Sequence, residues 1–574
     1  MSEHGRKAIN LQVAWNRLIS VVEEQAAALI RASFSPAVRE AGDLGAGVFD
    51  PRGRMLAQAI TGTAGHVNSM AAAVPHFLQA IPLADMHPGD AYITNDPWMA
   101  SGHLHDITVV SPAFRGGRVI GLFAATIHLI DVGGRGLTAD GRHVLEEGIG
   151  IPIMPLVRGG EINQDLMGII VANTREPLLV RGDILAVIAA GNEGIRRLAS
   201  LMDQLDLDDL DALGEHIIRN SREAMSAGIA MLRPGTYRGE TTIDGYDREV
   251  TFAASVTVGN GRVDIDFTGT SPASSYGINV VLNYTKAYAH YAVKCLVAPQ
   301  LPNNHGSLEP IGVSAPEGCI LNAQRPAPVA ARHVMGHAVP DLVIGCLHQA
   351  CPSGAIAESS MMWNPYFRGT RWFDGEARDW DAFFFNSGGM GALADRDGLA
   401  STAFPAGVKS IPVESFEATA PLLVLRKELR PDSGGAGQRR GGLGQIVEYR
   451  DLNGDHAVSF SALFDRVQNP AAGRDGGHPG AAGVVRLGSG APLRSKGFQD
   501  IPAGDTLVLE LPGGGGYGDP LLRPLDAIAA DVRRGLISPA AARADYGVVI
   551  ASDGSVDAAA TEALRRRETA NVER

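Results

Sequence analysis

The chain has 574 residues, 20% of them charged and 45% hydrophobic, a composition that excludes a fibrous or largely disordered protein and, at ~100–200 residues per domain, a single small module. Fifty basic against 63 acidic side chains leave a formal charge of −13, which does not supply the basic footprint that nucleic-acid phosphates require. No window reaches the ~18 uncharged apolar residues of a membrane helix, and the polar opening MSEHGRK lacks the apolar stretch of a signal peptide. Cys295, Cys319, Cys346 and Cys351 show no CxxC spacing, so neither a zinc ribbon nor a disulfide scaffold is indicated and a cytoplasmic location fits.

In chain order, Leu11, Trp15, Leu18, Val22, Ala26, Leu29 and Ile30 recur at helical spacing and stop before Ser35-Pro36, which predicts a long amphipathic helix. Between residues 43 and 58, two apolar runs flank Asp50-Pro51-Arg52-Gly53, the turn chemistry of a hairpin. A second hairpin is predicted from residues 107–114 and 119–127. Both runs are rich in β-formers, and Gly116-Gly117 suits the positive φ angles of a two-residue turn. Acidic residues crowd 203–211, read as a solvated connector, ahead of a helix from 213 to 232 that ends at Pro234-Gly235. Residues 248–258 and 262–268 alternate around Gly259-Asn260-Gly261, a further hairpin, and 284–298 reads as helix. Glycine-rich blocks occupy 433–444 and 512–518, and the tail from Leu525 reads as short helices with one strand at 548–551. The expected fold is mixed α+β and multi-domain: a hairpin-rich β body with an N-terminal amphipathic helix and a helical C-terminal tail. The expected divisions are 1–200, 201–335, 336–524 and 525–574.

The densest cluster of ligand-type side chains is Asn95-Asp96-Pro97 followed by Gly102-His103-Leu104-His105-Asp106, with His128 and Asp131 further on. Histidine with carboxylate suits one divalent ion such as Mn²⁺, Fe²⁺ or Zn²⁺. If Gly116-Gly117 is the two-residue loop, His105 falls opposite His128 and Asp106 opposite Ile127, so both groups reach the same open end of the hairpin. His103 and Asp106 then close on the same ion as His128. The inference needs a register good to one or two residues, since a single slip reverses the faces. Strand alternation sends His105 to the face opposite Asp106, which makes it the expected bystander. Asp131, ahead of Gly133-Gly134, is equally explained as a turn residue.

Gly513-Gly514-Gly515-Gly516-Tyr517-Gly518 satisfies GxGxxG, but Pro520 and Pro524 delay the next helix, so these glycines do not open a helix N-terminus as a dinucleotide site requires. A close-packed turn explains them better than an anion cradle. There is no GxxxxGK[ST] phosphate loop and no GxSxG elbow. Cys295 and Cys346 sit among apolar neighbours and are expected in the core.

Taken with Arg39-Glu40-Ala41-Gly42-Asp43, Asn95-Asp96-Pro97-Trp98, His128-Leu129-Ile130-Asp131-Val132-Gly133-Gly134, Asp432-Ser433-Gly434-Gly435-Ala436-Gly437 and Arg440-Gly441-Gly442-Leu443-Gly444, the chain resembles the hydantoinase B/oxoprolinase family. That family is the metal-bearing subunit type of ATP-dependent hydantoinases, lactamases and acetone and acetophenone carboxylases. The resemblance implies a mononuclear site made by Asp43, His103, Asp106 and His128, with Asp131 a proton acceptor or an orienter of His128. Asp43 comes from the family pattern alone. It also implies a larger hydantoinase A-type partner that binds ATP in place of this chain and phosphorylates the substrate's amide or enolate oxygen before attack at the metal. Relatives often carry Thr-His-x-Pro-Asp and His-His-x-Asp where this chain has Gly102-His103-Leu104-His105-Asp106 and His128-Leu129-Ile130-Asp131, which puts the surroundings of the metal in question. Arg332, Glu414 and Glu417 lie in family-like patches that buried ion pairs explain equally well. The expected activity is hydrolysis of a cyclic amide, with ketone carboxylation and a non-catalytic metal-stapled scaffold as alternatives.

Overall fold

A computed structural model describes residues 3–60, 63–351, 354–373, 376–452 and 456–572. The amphipathic pattern forms α1 (Glu3–Ala32), followed by the short α2 (Pro36–Arg39). The first expected hairpin is β1 (Leu44–Phe49) and β2 (Met55–Gln58), turning at Gly53, whose φ of +80° needs no Cβ. Then come α3 (Ala64–Ala80), β3 (Ala91–Thr94), the long hairpin β4 (Asp106–Arg115) and β5 (Arg118–His128), and the edge strands β6 (Met154–Arg158) and β7 (Glu161–Ile162). They build one antiparallel sheet in the order β2-β1-β5-β4-β3-β6-β7.

Both faces of this sheet are covered. Leu44, Ala46, Ile107 and Val109 pack in the core that contains α1, whereas Val110, Leu122 and Ala124 pack with Met70, Val74 and Phe77 of α3. Side chains alternate along a strand, so a sheet sandwiched this way buries a continuous run rather than every second residue. From Asp106 to Ala113 every residue of β4 is buried.

The long hairpin departs from the expected register by one residue. Near the turn the pairing is as expected, Arg115 with Arg118 and Phe114 with Val119, but a bulge follows and Ala113 pairs with Gly121. The extra residue on β5 moves every later pair, so His128 lies opposite Asp106, not His105, and Ile127 opposite Ile107.

Beyond it, the described residues form three four-stranded sheets, a two-stranded ribbon and helices that include Asp211–Ala230, Leu282–Val297, Arg332–Gly336 and Val339–His348. The architecture is mixed α+β, as expected. The hairpin Val250–Gly259 and Arg262–Asp266 forms where its turn residues placed it. The acidic stretch is not all connector, since the preceding helix runs from Pro177 to Leu205. The tail is helical, but the strand expected at 548–551 is reduced to a single bridge between Ile550 and Val556.

The glycine-rich blocks interlock. The N–H groups of Gly513, Gly514, Gly515 and Gly516 donate in turn to the carbonyls of Ala481, Gly442, Glu358 and His478, at 2.9–3.2 Å. A Cβ at Gly513 would lie 1.7 Å from the Ser433 oxygen, and one at Gly441 would lie 1.9 Å from that of Gly514. Backbones this close leave room for glycine alone, as at the axis of collagen. These donors are spent on carbonyls, so the segment is close-packed structure and not an anion cradle.

Candidate metal centre

The site lies where β1, β5 and β4 end side by side under the N-terminus of α3. Leu44 pairs with Ile127, and Asp106 with His128, so Asp43, His128 and Asp106 stand in one row. Residues directly opposite each other project from the same face. Two residues further in, on the same face, the Thr108 and Thr126 hydroxyls meet at 2.8 Å and confirm the alignment. His103 enters from the turn before β4. One ligand atom each from His103, Asp106 and His128 lies within 4.8 Å of the others, and all three residues are buried.

Asp106 is the hub. Its Oδ1 lies 2.7 Å from His103 Nε2 and 2.9 Å from His128 Nδ1. Its Oδ2 lies 2.8 Å from His66 Nε2 and accepts from the Arg332 guanidinium. Burial works to raise the Asp106 carboxyl, but His103, His66 and Arg332 outweigh it and hold the group well below the usual carboxylate range.

His103 shows what this donor set is built for. Its Nδ1 lies 2.8 Å from the carbonyl oxygen of Ala330, which can only accept, so in the neutral ring Nδ1 carries the proton and Nε2 presents a lone pair. Burial, and then the charge of Arg332, push His103 well below its ordinary pKa and keep it neutral. A lone pair and a carboxylate oxygen therefore face each other at 2.7 Å. Such a contact is repulsive unless a cation lies between the two, and an imidazole anchored through its other nitrogen to a backbone carbonyl is the usual arrangement of a metal-ligating histidine. The residues fit a divalent ion.

Asp43 joins the row but not the tight cluster. Its Oδ1 lies 3.3 Å from His66 Nδ1, and neither atom has a hydrogen-bond partner among the described residues although both are buried. An acceptor oxygen left free beside the cluster fits a fourth ligand position. Burial pulls the His66 pKa down, but Asp106 and Asp43 on either side give a net rise. His105 is less remote than strand alternation suggested: it precedes the strand, and its ring stacks 5.5 Å from that of His128 at 10°. Burial, and then His128, lower its pKa to about 4. Asp131 is held elsewhere, by the Arg175 guanidinium and N–H at 2.6 Å, Thr174 at 3.1 Å and the Gly133 N–H at 3.0 Å.

Sequence spacing did not single out His66, His337 or Glu147. His66 is the third residue of α3, whose cap Thr63 accepts from the His66 N–H at 3.1 Å, and a lone histidine on a helix carries no spacing signal. Glu147 accepts from the N–H groups of Val329 and Ala330 at 2.7 and 2.9 Å, and so holds the carbonyl that orients His103. Burial pushes its carboxyl up to about 8. Arg332 does form a buried ion pair, but with Asp106 itself, whereas Glu417 accepts from the Val424 N–H. Cys346 is in the core as expected, but Cys295 is exposed.

Two cavities meet here. A small one of about 30 Å³ is lined by Asp43, His66, His103 and His128, with Asn364 and Phe383 opposite. A larger one of about 420 Å³ lies outside it, lined by Asn68, Tyr291, Lys294 and Lys409, and the two share Thr63.

The sequence profile of the family described as Hydantoinase B/oxoprolinase matches residues 7–520. The caprolactamase subunit beta of Pseudomonas jessenii is 29% identical over 507 residues, covering 83% of this chain and 85% of that one. A crystal structure of the ATP-dependent caprolactamase from Pseudomonas jessenii superposes with a TM-score of 0.88 at 26% identity, over 97% of this chain and 99% of that chain. A nucleotide-free acetone carboxylase structure also superposes at 0.88, with 20% identity, over 99% of this chain and 83% of that one, a likeness of fold. Among the described residues, no helix is long and apolar enough to cross a membrane.

Proposed function

The chain belongs to the hydantoinase B/oxoprolinase family, and from that premise we propose that it is the metal-dependent subunit of an ATP-dependent cyclic amidase. In this reading it hydrolyses the C–N bond of a hydantoin, 5-oxoproline or lactam after a hydantoinase A-type partner has phosphorylated the amide oxygen. The observation that carries it is the contact of His103 Nε2 with Asp106 Oδ1 at 2.7 Å while His103 Nδ1 is anchored on the Ala330 carbonyl at 2.8 Å.

Asp43, His103, Asp106 and His128 would hold one Mn²⁺, Zn²⁺ or Fe²⁺ ion. Such an ion supplies Lewis acidity, enough to generate a hydroxide nucleophile from water near neutral pH. The protein's own part is orientation. The Ala330 carbonyl fixes the His103 tautomer, Arg332 and His66 hold the second Asp106 oxygen, and Phe383 packs edge-on 5.4 Å from His128. Asp131, tied to Arg175, steadies the turn after β5 in place of accepting a proton at the ion.

Phosphorylation elsewhere is supported by the missing phosphate loop and by the Gly513–Gly516 segment, whose four N–H groups are all taken up by backbone carbonyls. The larger cavity, with Lys294 and Lys409 on its wall, suits the approach of an anionic, phosphorylated substrate. The thiols of Cys295, Cys319 and Cys346, which form no disulfide among the described residues, suit a cytoplasmic location. The test is to co-purify the chain with its partner and measure ATP-dependent ring opening of hydantoin, 5-oxoproline and 2-pyrrolidone. Ring opening that is lost in His103→Ala supports the proposal, and bicarbonate-dependent consumption of a ketone without ring opening overturns it.

A further inference from the structure

The larger cavity is where a substrate can be held. At about 420 Å³ it falls within the span of small-molecule pockets, roughly 300–1,000 Å³. The cavity of about 30 Å³ beside the metal residues has room for an ion with its water, not for a ring. The two share Thr63, and the successive residues Gly42 and Asp43 line one each. A group bound in the larger cavity therefore lies directly outside the candidate metal centre.

Its wall is cationic although the chain as a whole carries −13. Lys294, on the helix Leu282–Val297, and Lys409, whose N–H donates to the Ala41 carbonyl at 2.8 Å, both line it, and among the described residues no carboxylate does. Neither ammonium has a hydrogen-bond or carboxylate partner among the described residues. Burial pulls Lys294 below its ordinary pKa, and Cys295 beside it counters this in part. An ammonium taken out of water without a carboxylate gains from an anion that comes to it.

A third donor is fixed by a chain of amides. The Ala287 carbonyl can only accept, so the Asn68 group 3.0 Å from it is Nδ2, and Asn68 Oδ1 faces Asn303. Asn303 Nδ2 then spends both hydrogens, on Asn68 Oδ1 at 2.7 Å and on Gln58 Oε1 at 2.8 Å. Gln58 is left with Nε2, a donor, to offer the cavity that all three amides line. The Thr63 hydroxyl accepts the His66 N–H at 3.1 Å and keeps its own hydrogen to donate.

We propose that Lys294, Lys409 and Gln58 form a phosphoryl-binding site that holds the phosphate group of the activated substrate beside the metal residues. This rests on the cyclic amidase reading and deepens it. Two cations and a neutral donor match a phosphate monoester, which carries about −1.5 to −2 near pH 7, better than they match a single carboxylate. The site asks nothing of the amide nitrogen, whose hydrogen is gone once the oxygen is phosphorylated.

The probe is inorganic phosphate, titrated by isothermal calorimetry into the full-length chain loaded with zinc and freed of excess metal. The native chain should bind it saturably. Losing a hydrogen bond to a charged group costs on the order of 10- to 100-fold, so Lys294→Met should weaken phosphate by that factor. Lys409→Met and Gln58→Leu should weaken it less, and Lys294→Arg should keep it. Phosphate held by the zinc ion would instead vanish in His103→Ala and persist in Lys294→Met, which overturns the inference, as does a native chain that binds no phosphate. L-5-oxoproline bound through Lys294 without any phosphate binding also overturns it, in favour of a ring carboxylate. The two claims fail separately. Phosphate affinity that falls in Lys294→Met upholds the site even where the partner complex opens no ring, a result that sinks the cyclic amidase reading alone.

Discussion

Glu147 gives a prediction whose size can be worked from its surroundings. One carboxylate oxygen accepts from Val329 and Ala330, the other is buried without a hydrogen-bond partner among the described residues, and burial lifts the folded-state pKa to about 8 from an ordinary 4.5. The folded chain therefore holds a proton that the unfolded chain releases. Stability from this group is complete below pH 4.5 and is lost as pH rises through about 8. At ~1.4 kcal/mol per pH unit across that interval, the loss is about 4 kcal/mol by pH 8. Glu147→Gln keeps the accepting oxygen and removes the titration. Its melting temperature should match that of the native chain near pH 4.5 and rise above it by about 3 °C at pH 8, given ~2.1 cal/mol/K of unfolding entropy per residue. Differential scanning calorimetry at pH 4.5, 6 and 8 reads this directly. A gap between variant and native chain that does not change with pH would show that the Glu147 carboxyl is already ionised in the fold.

Replacing His103 or Asp106 with alanine should remove most bound metal, measured by elemental analysis of the purified chain, while circular dichroism stays unchanged. Arg332→Met removes the guanidinium paired with the buried Asp106 and should cost about 3–5 kcal/mol in chemical unfolding. Gly441→Ala sets a methyl 1.9 Å from the Gly514 carbonyl oxygen and should destabilise by ~3 kcal/mol or reduce soluble yield; unchanged unfolding would refute the interlocked backbone. The purified chain alone should release no phosphate from ATP, and steady hydrolysis would refute the assignment of ATP to a partner.

The long helix, the first hairpin and the β4-β5 turn were legible because each rests on local chemistry: helical spacing, Asp50-Pro51-Arg52-Gly53, and Gly116-Gly117. Turn chemistry sets the register only as far as the first irregularity. The bulge between Ala113 and Phe114 has no signature in those residues, and it is what brings His128 opposite Asp106. His103, Asp106 and His128 could still be grouped because Asp106 and His128 are the end residues of the two strands and His103 lies three residues before Asp106. His66 and Glu147 could not. Each reaches the site through tertiary packing, His66 on a helix laid across the sheet and Glu147 through the backbone of Val329 and Ala330. Clustered glycine likewise signals either a ligand cradle or close backbone approach, and only the destination of each N–H separates the two.

Anomalous scattering from crystals of the manganese- or zinc-loaded protein tests the central claim most directly. The account predicts one peak within bonding distance, ~2.0–2.3 Å, of His103 Nε2, Asp106 and His128, with Asp43 turned toward it and the Ala330 carbonyl still on His103 Nδ1. A metal-soaked crystal with no peak there, and with His103 Nε2 still in direct contact with Asp106, would contradict it.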